Sequence, residues 1–348
     1  MARSRPATVH AARGLCAPGL AAAVLVAAVL LATVGAGLSA GTGPPESGRP
    51  APHAAVPLVP EPDATVVAAP LVATTTLGLL AAARHSVELE MYELGDPAVV
   101  AALDAARRRG VAVRVVTDPT EIASRSSDAR LVRAGVAVRT LAVPGGIDHV
   151  KLLVVDASRV LVGGVNLGVS SGATTDADVE LSGPAVAHAA AIFDRDWAAA
   201  GGRGAPASGV FGPFVAGRAV GPEILAVVAH ATGRCTVLAN YLTDYGVQDA
   251  LAAAAHRGVA VTVVLNPAAD GASAAASWLV RHGVHVERAP GEPYLHAKIL
   301  ACGATAMIGS ANFSYDALSV NHELDVVLDR GAAATVGAFA AQVARADA

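Results

Sequence analysis

Two stretches of this chain, separated by about 147 residues, carry nearly the same sequence. Residues 109–113 read Arg-Gly-Val-Ala-Val, and the same five residues return at 257–261. A Gly-Val-x-Val stretch at 135–138 returns at 283–286, again 148 positions later. Similarity at a fixed interval indicates that one structural unit occurs twice. The chain is therefore expected to fold as two similar halves.

Each copy alternates β-rich runs with runs of helical length. In the first copy we predict strands at 86–94, 111–118, 136–141, 150–155 and 160–165, and helices at 97–109, 120–134 and 184–199. In the second copy we predict strands at 235–241 and 259–265, helices at 247–256 and 273–282, then strands up to residue 328 and a final helix. This alternation predicts an α/β fold whose sheets are covered on both faces. The predicted repeats span 71–200 and 218–346, joined by a linker at 201–217. We expect them to pack about a pseudo-twofold axis.

Each copy also contains a His-x-Lys pair followed by an asparagine. These residues are His149, Lys151 and Asn166 in the first copy and His296, Lys298 and Asn312 in the second. The first copy, H-x-K-x4-D-x6-G-G-x-N, resembles the signature of the phospholipase D superfamily, and the resemblance extends over residues 71–345. It implies two tandem phospholipase D-like repeats with one active site between them. It also implies phosphodiester chemistry without a metal or other cofactor.

The residue types suit that chemistry. Residues i and i+2 of a strand face the same side, so each pair presents an imidazole and an ammonium together. One neutral histidine can attack phosphorus and form a phosphohistidine, while the other, protonated, donates a proton to the leaving oxygen. The lysines and asparagines would stabilise charge on the non-bridging oxygens. The intact first motif favours His149 as the nucleophile and His296 as the acid. Further substrate contacts are expected from Gly164, Ser310 and Tyr294.

An acidic residue is expected to orient each imidazole. Asp176 lies 27 residues after His149, and Glu323 lies 27 residues after His296. The equal separations make these two carboxylates the candidates, with Asp178 as the alternative in the first half. The sequence leaves open whether each carboxylate serves the histidine of its own copy or of the other copy.

The aspartate of the first motif, Asp156, has no counterpart in the second motif, where Gly303 takes its position. We interpret Asp156 as a residue of the turn and not of the chemistry. Its replacement by Gly303 then predicts a reshaped hairpin more than an inactive site.

The N-terminal region has a different character. Residues 1–40 contain three arginines and no acid, followed within that range by a long apolar run, which predicts a secretory signal or a membrane anchor. Residues 41–70 are rich in proline and predict a semi-extended linker. The remainder would then be exported, either released or held at the outer face of the cytoplasmic membrane. In that oxidising environment Cys235 and Cys302 are able to pair, and the sequence leaves open whether they do.

Three functions remain open. The first is an exported phosphodiesterase that hydrolyses or transfers phosphatidyl groups, with a phospholipid and a water or alcohol acceptor as partners and a membrane surface as its place of action. The second is a secreted nuclease. It is disfavoured because, without the three leader arginines, 22 basic residues face 29 acidic ones, a net charge of −7, and only 3% of the chain is aromatic. The third is a non-catalytic envelope protein that keeps the fold. The head group, the acceptor and the oligomeric state are not specified by the sequence.

Overall fold

The computed structural model describes residues 64–346, which belong to one compact unit. The predicted leader at 1–40 and most of the predicted linker lie outside the described residues. Within residues 64–346, no helix has the combination of length and apolar character needed to cross a membrane.

The first repeat contains eight strands and four helices among the described residues. Its strands are β1 (Ala64–Ala68), β2 (Ser86–Met91), β3 (Ala112–Thr117), β4 (Ala137–Thr140), β5 (Lys151–Val155), β6 (Arg159–Gly163), β7 (Thr174–Thr175) and β8 (Ala177–Ser182). Its helices are α1 (Ala69–Ala82), α2 (Pro97–Arg108), α3 (Ile122–Arg133) and α4 (Ala185–Ala200). Seven of the strands form a mixed sheet in the order β1-β8-β6-β5-β2-β3-β4.

The second repeat follows the same plan. Its strands are β9 (Gly209–Phe211), β10 (Phe214–Ala216), β11 (Arg234–Ala239), β12 (Ala260–Leu265), β13 (His285–Arg288), β14 (Tyr294–Leu295), β15 (Lys298–Cys302), β16 (Thr305–Gly309) and β17 (Leu324–Asp329). Its helices are α5 (Val220–Ala229), α6 (Tyr245–His256), α7 (Ala272–Arg281), α8 (Tyr315–Ser319) and α9 (Arg330–Ala346). Within the described chain its sheet has the order β13-β12-β11-β15-β16-β17-β10-β9, so the predicted α/β repeats are confirmed.

One aliphatic core joins the two sheets. It contains Leu152 and Val162 from the first sheet, Ile308 and Val326 from the second, and Phe193 from α4, each at most 1% exposed. The outer faces of the sheets are covered by helices from their own repeats, and these form two further cores. The apolar residues thus form three cores, and the core between the sheets holds the two repeats together.

Reciprocal contacts relate the repeats by a pseudo-twofold axis. Asp148 forms a parallel β-bridge with His322, and Leu295 pairs in the same sense with Thr175. Leu295 lies 147 residues after Asp148, and Thr175 lies 147 residues before His322, so each contact is the image of the other. The loops that precede the two His-x-Lys strands therefore meet at the axis.

Parts of both predicted linkers form regular secondary structure. Residues 64–68 form the edge strand β1, and Pro70 lies in the first turn of α1, where a helix tolerates the missing amide. In the predicted linker at 201–217, β9 and β10 form a hairpin, and β10 pairs with β17. These strands are only three to five residues long, too short for a readable alternation.

Cys235 and Cys302 lie opposite each other on β11 and β15 and form a disulfide. The structure therefore contains the pairing that the sequence left open. The bond links neighbouring strands within the second repeat.

Asp156 closes the turn between β5 and β6 at a φ of 52°. Its carboxylate accepts hydrogen bonds from the amides of Arg84, His85 and Ser86 at 2.7–2.9 Å. In the second repeat Gly303 adopts a φ of 64°, and its amide donates to the carbonyl of Arg234. Both turns require a residue with positive φ. In the first repeat this residue is an aspartate whose carboxylate accepts hydrogen bonds, and in the second it is a glycine.

Asp156→Asn is expected to lower the free energy of unfolding by about 1 kcal/mol at neutral pH, because charge-assisted hydrogen bonds become neutral ones. Partial burial opposes ionisation, but the three amides hold the pKa of Asp156 below its ordinary value of 3.8. The contribution is therefore present above pH 3.8 and is lost as the pH falls through the lower folded-state pKa. Denaturant unfolding at several pH values measures this difference, and a difference that stayed constant into strong acid would contradict it.

Candidate active site

His149 lies two residues before β5 and is held there by the other repeat. Its amide donates to the carbonyl of His322 at 2.9 Å, and its ring Nδ1 lies 2.9 Å from Glu323 Oε2. Glu323 is fully buried and also accepts hydrogen bonds from Ser310 Oγ at 2.6 Å and Asn321 Nδ2 at 3.1 Å. An ionised carboxylate only accepts, so Nδ1 carries the proton and Nε2 keeps its lone pair.

His296 is held in the same way by the first repeat. Its amide donates to the carbonyl of Thr175, and its Nδ1 lies 2.8 Å from Asp176 Oδ2. Each carboxylate therefore orients the histidine of the opposite repeat, which answers the question that equal sequence separations left open. The histidine–carboxylate pairs depend on both repeats.

Asp178, the alternative to Asp176, is wrong as an imidazole partner. Its Oδ1 accepts the amide of Val165 at 3.0 Å, just before Asn166. In the second repeat Asp325 accepts the amide of Ala311 in the equivalent place. The two aspartates fix the loops that present the asparagines, and burial raises the pKa of Asp178 to about 8 and that of Asp325 to about 7.

Both lysines are buried beside the histidines. Lys151 Nζ donates to the carbonyl of His149 at 2.6 Å and faces the ring of Tyr92. Lys298 Nζ lies 2.9 and 3.1 Å from the two ring nitrogens of His296. Burial lowers the pKa of Lys151 to about 7 and that of Lys298 to about 8, and the Lys298 ammonium lowers the pKa of Lys151 further. The lysines of both repeats thus act on one region.

Burial favours the neutral form of both histidines. Burial lowers the pKa of His149, and burial together with Lys298 lowers that of His296 to about 4. Burial opposes the charge of Asp176 and Glu323, but neighbouring lysines and histidines hold the pKa of both carboxyls below its ordinary value. Two imidazoles, two amines and two carboxylates therefore line the site, and a bound phosphodiester would add a negative charge to it. That charge would favour protonation of a histidine.

The glycine positions of the motifs are set by the carboxylates behind them. A Cβ on Gly164 would lie 2.6 Å from Asp176 Oδ1, and one on Gly309 would lie 2.1 Å from Asp325 Oδ1. Position 164 is glycine in the first copy, whereas its counterpart Ser310 donates a hydroxyl to Glu323. Gly164 and Ser310 therefore shape the site from behind the histidines.

The asparagines differ from their neighbours in having unused acceptors. Oδ1 of Asn166 and Oδ1 of Asn312 are buried and accept no hydrogen bond from the described residues. Asn166 lines a shallow pocket in front of His296, together with Glu93, Ser170, Ser171 and Thr174. Tyr294 stands beside it, with its ring 6.2 Å from that of His296 and its hydroxyl donating to Asn240.

Sequence reasoning did not assign roles to Glu93 or Asn321. Glu93 lies in the loop after β2 and places a carboxylate on the pocket wall, and burial together with Glu121 raises its pKa. Asn321 lies two residues before Glu323, so its proximity along the chain was a usable signal. The sequence contains no such signal for Glu93, because its loop carries no motif that recurs in the second repeat.

The family profile described as "Cardiolipin synthase, PLD-like domain" matches residues 77–197 and again residues 224–344. The chain belongs to the phospholipase D-like family. The two matches coincide with the two repeats, so the phospholipase D-like domain occurs twice in tandem.

Curated relatives match part of this phospholipase D-like chain. "Mitochondrial cardiolipin hydrolase" of Xenopus tropicalis is 34% identical over 122 residues, which cover 34% of this chain and 58% of that protein. "Phospholipase D" of Rickettsia bellii is 34% identical over 85 residues, or 24% of this chain and 42% of that protein. The chain thus spans about half the length of these curated relatives.

Solved structures share the fold at low sequence identity. Phosphatidylserine synthase of Haemophilus influenzae aligns with a TM-score of 0.62 and 13% identity, over 82% of this phospholipase D-like chain and 88% of that chain. Polyphosphate kinase of Porphyromonas gingivalis aligns with a TM-score of 0.59 and 16% identity, over 76% of this chain and 44% of that chain. These likenesses concern the fold alone.

Proposed function

We propose that this protein is an exported phosphodiesterase that hydrolyses or transfers phosphatidyl groups through a phosphohistidine, with chemistry that needs no metal. The observation that carries the proposal is the reciprocal pairing of His149 with Glu323 and His296 with Asp176. In each pair the carboxylate engages Nδ1, so Nε2 is the ring nitrogen left for the chemistry, and in His296 it faces Lys298 Nζ at 3.1 Å. The names of the curated relatives, a phospholipase D and a cardiolipin hydrolase, support a lipid phosphodiester as the substrate.

In the first step His149 Nε2 attacks phosphorus, the bond from phosphorus to the head-group oxygen breaks, and His296 Nε2 gives that oxygen a proton. In the second step His296 removes a proton from water or an alcohol, whose oxygen attacks phosphorus while the phosphorus–nitrogen bond breaks. His149 suits the nucleophile because the carboxylate that orients it has three donors. His296 suits the acid and base because its side chain is 20% exposed, against 9% for His149, and an acceptor must reach it.

The remaining site residues would stabilise charge. Lys151 and Lys298 face the growing negative charge on the non-bridging oxygens, and their protonation is favoured once an anion is bound. Asn166 and Asn312 would add amide donors from loops held by Asp178 and Asp325. Tyr294 lies beside His296, and Gly164 lies against the Asp176 carboxylate behind that histidine. Asp156 is assigned a structural role only.

A lipid substrate fits the charges better than a nucleic acid. The carboxylate of Glu93 lines the pocket in front of His296 and would repel the phosphates that flank the scissile bond in a polynucleotide. A phospholipid presents one diester with apolar chains beyond it. The predicted N-terminal leader, which lies outside the described residues, would bring the protein to a membrane surface.

Full-length protein in mild detergent is expected to convert phospholipids when mixed with vesicles of phosphatidylcholine, phosphatidylethanolamine and phosphatidylglycerol plus ethanol, without added divalent cation. Hydrolysis gives phosphatidic acid, and transfer to the alcohol gives phosphatidylethanol. Both products should fall by about 10³-fold or more in His149→Asn and His296→Asn. Lipid mass spectrometry measures them.

His285→Asn is the matched control, because His285 is an exposed histidine of the second repeat paired with Glu287. It should keep full activity. Absence of both lipid products from the wild type would remove the lipid proposal and make single-stranded DNA and RNA the next substrates to test. Products that persist in both active-site variants would contradict the assignment of the site.

A further inference from the structure

Four ionisable side chains meet inside the protein beside the His149–Glu323 pair. They are Glu90 on β2, Asp148 before β5, Asp196 on α4 and His322 before β17, and none is more than 3% exposed. His322 Nε2 lies 3.2 Å from Asp196 Oδ2 and 3.9 Å from Glu90 Oε1. One ligand atom from each of these three residues lies within 4.8 Å of the others. We call these four residues the buried cluster.

The polar atoms of the buried cluster are largely unsatisfied. Both carboxylate oxygens of Glu90, both of Asp148, Oδ2 of Asp196 and Nε2 of His322 make no hydrogen bond with any residue from 64 to 346. Buried polar atoms without partners are rare, and buried unpaired carboxylates are strongly unfavourable. Such a set points to something that the protein's own side chains do not supply.

The charges of the buried cluster do not balance. Across the described residues no lysine or arginine forms an ion pair with Glu90, Asp148 or Asp196, which leaves His322 to face three carboxylates. Burial and mutual repulsion raise the pKa of Glu90 well above its ordinary value, and burial raises that of Asp148 to about 7. The missing positive charge must come from protons or from a cation.

The second repeat shows that the fold does not need these charges. The strand pairing places Glu90 opposite Leu152 in the first sheet and Leu238 opposite Ile299 in the second, so Leu238 is the counterpart of Glu90. Leu295 is the counterpart of Asp148, and Thr175 is that of His322. Leu238 and Leu295 are fully buried in the core between the sheets. At the positions where the second repeat has buried leucines, the first repeat has carboxylates that lie near a histidine.

We propose that the buried cluster binds one divalent transition-metal cation, with Glu90, Asp196 and His322 as ligands and the neighbouring Asp148 carboxylate supplying further negative charge. Imidazole with carboxylates suits Zn²⁺ or Mn²⁺. In a tetrahedral site with bonds of about 2.0–2.1 Å, ligand atoms lie roughly 3.3 Å apart. His322 Nε2 already lies 3.2 and 3.9 Å from the two carboxylates, and since all three ligand atoms lie within 4.8 Å of one another, ligation requires a contraction of at most about 1.5 Å. Two of the three buried negative charges are then balanced.

The position of the site makes the cation structural. Glu90, Asp148 and Asp196 come from the first repeat and His322 from the second, so one ion would tie the repeats together. Two residues of the buried cluster are direct sequence neighbours of the candidate catalytic pair, because Asp148 precedes His149 and His322 precedes Glu323. The ion would fix this pair without contacting substrate, and the proposed phosphodiester chemistry remains free of metal.

Full-length protein, purified in mild detergent from medium containing both Zn²⁺ and Mn²⁺, is expected to hold about one equivalent of one of these metals by elemental analysis. The key variant is Glu90→Leu/Asp148→Leu/Asp196→Asn/His322→Thr, which installs three residues of the second repeat, removes the charge of Asp196 and should fold without metal, with less than about a tenth of an equivalent. The control His285→Ala/Glu287→Gln removes a histidine–carboxylate pair of β13, in which His285 is exposed, and should keep the full equivalent.

Refolding provides a second readout, because a buried ion exchanges only when the protein opens. Wild-type protein refolded with a chelator is expected to lose roughly 5 °C or more in melting temperature and to regain it when Zn²⁺ or Mn²⁺ is present during refolding. The quadruple variant should melt at the same temperature in both conditions. Wild-type protein that holds no stoichiometric metal and melts alike with chelator and with either ion would overturn the proposal and leave the buried cluster held by protons alone.

Discussion

His296→Asn is expected to release one burst of p-nitrophenolate from a p-nitrophenyl phosphodiester and then to turn over about 10³-fold more slowly than the wild type. The phenolate departs without a proton from the protein, so the first step survives loss of the acid. The second step stalls because nothing activates water. His149→Asn lacks the nucleophile and is expected to give no burst.

Stopped-flow absorbance measures the burst, and intact-protein mass spectrometry shows whether the phosphoryl adduct remains on the chain. Peptide mapping under alkaline conditions, where phosphohistidine persists, should locate the adduct on His149. His285→Asn serves as the control with unchanged kinetics, since that side chain is exposed and outside the site. A burst from His149→Asn and none from His296→Asn would reverse the two roles, and no burst from either would argue against a covalent route.

Glu323→Gln is expected to behave like loss of His149, and Asp176→Asn like loss of His296. An amide can donate to Nδ1 and so favours the tautomer whose Nε2 carries the proton, which removes the lone pair needed for attack or for proton transfer. Each substitution should lower turnover by about 10³–10⁴-fold. Glu323→Gln should give no burst, while Asp176→Asn should give a burst without turnover.

Double variants make this prediction specific to the crossed pairing. His149→Asn/Glu323→Gln should be no worse than His149→Asn alone, because both act on one imidazole. Asp249→Asn, an exposed carboxylate on α6, is the control that should leave kinetics unchanged. If Glu323→Gln kept the burst and Asp176→Asn lost it, each carboxylate would serve its own repeat in solution, and the crossed arrangement would be wrong.

Much of the architecture was predictable because it is written twice. The recurring glycine-valine segments and the two His-x-Lys pairs located the repeats and predicted that their loops meet. The edge strands β1 and β9 were not predictable, because each is short and lies near prolines or glycines that favour irregular structure. These segments are strands because they pair with β8 and β10, respectively.

The site was predictable in its residues but not in its connections. Asp176 and Glu323 follow their histidines by the same 27 residues, and that symmetry carries no information about which repeat each one faces. Asp176 and Asp178 are two residues apart, and only the position of the Val165 amide separates their roles. The buried cluster joins Glu90, Asp196 and His322 from distant segments, so no local pattern could reveal it.

The crossed carboxylates have a consequence for how such a protein can be divided. A chain with one repeat would contain a histidine and a carboxylate that do not pair with each other. It would have to associate with a second copy about a twofold axis to complete either pair. Joining the repeats in one polypeptide makes that encounter intramolecular, so the site assembles at an effective concentration that dilution does not change. Activity per molecule should then be independent of protein concentration, even at high dilution.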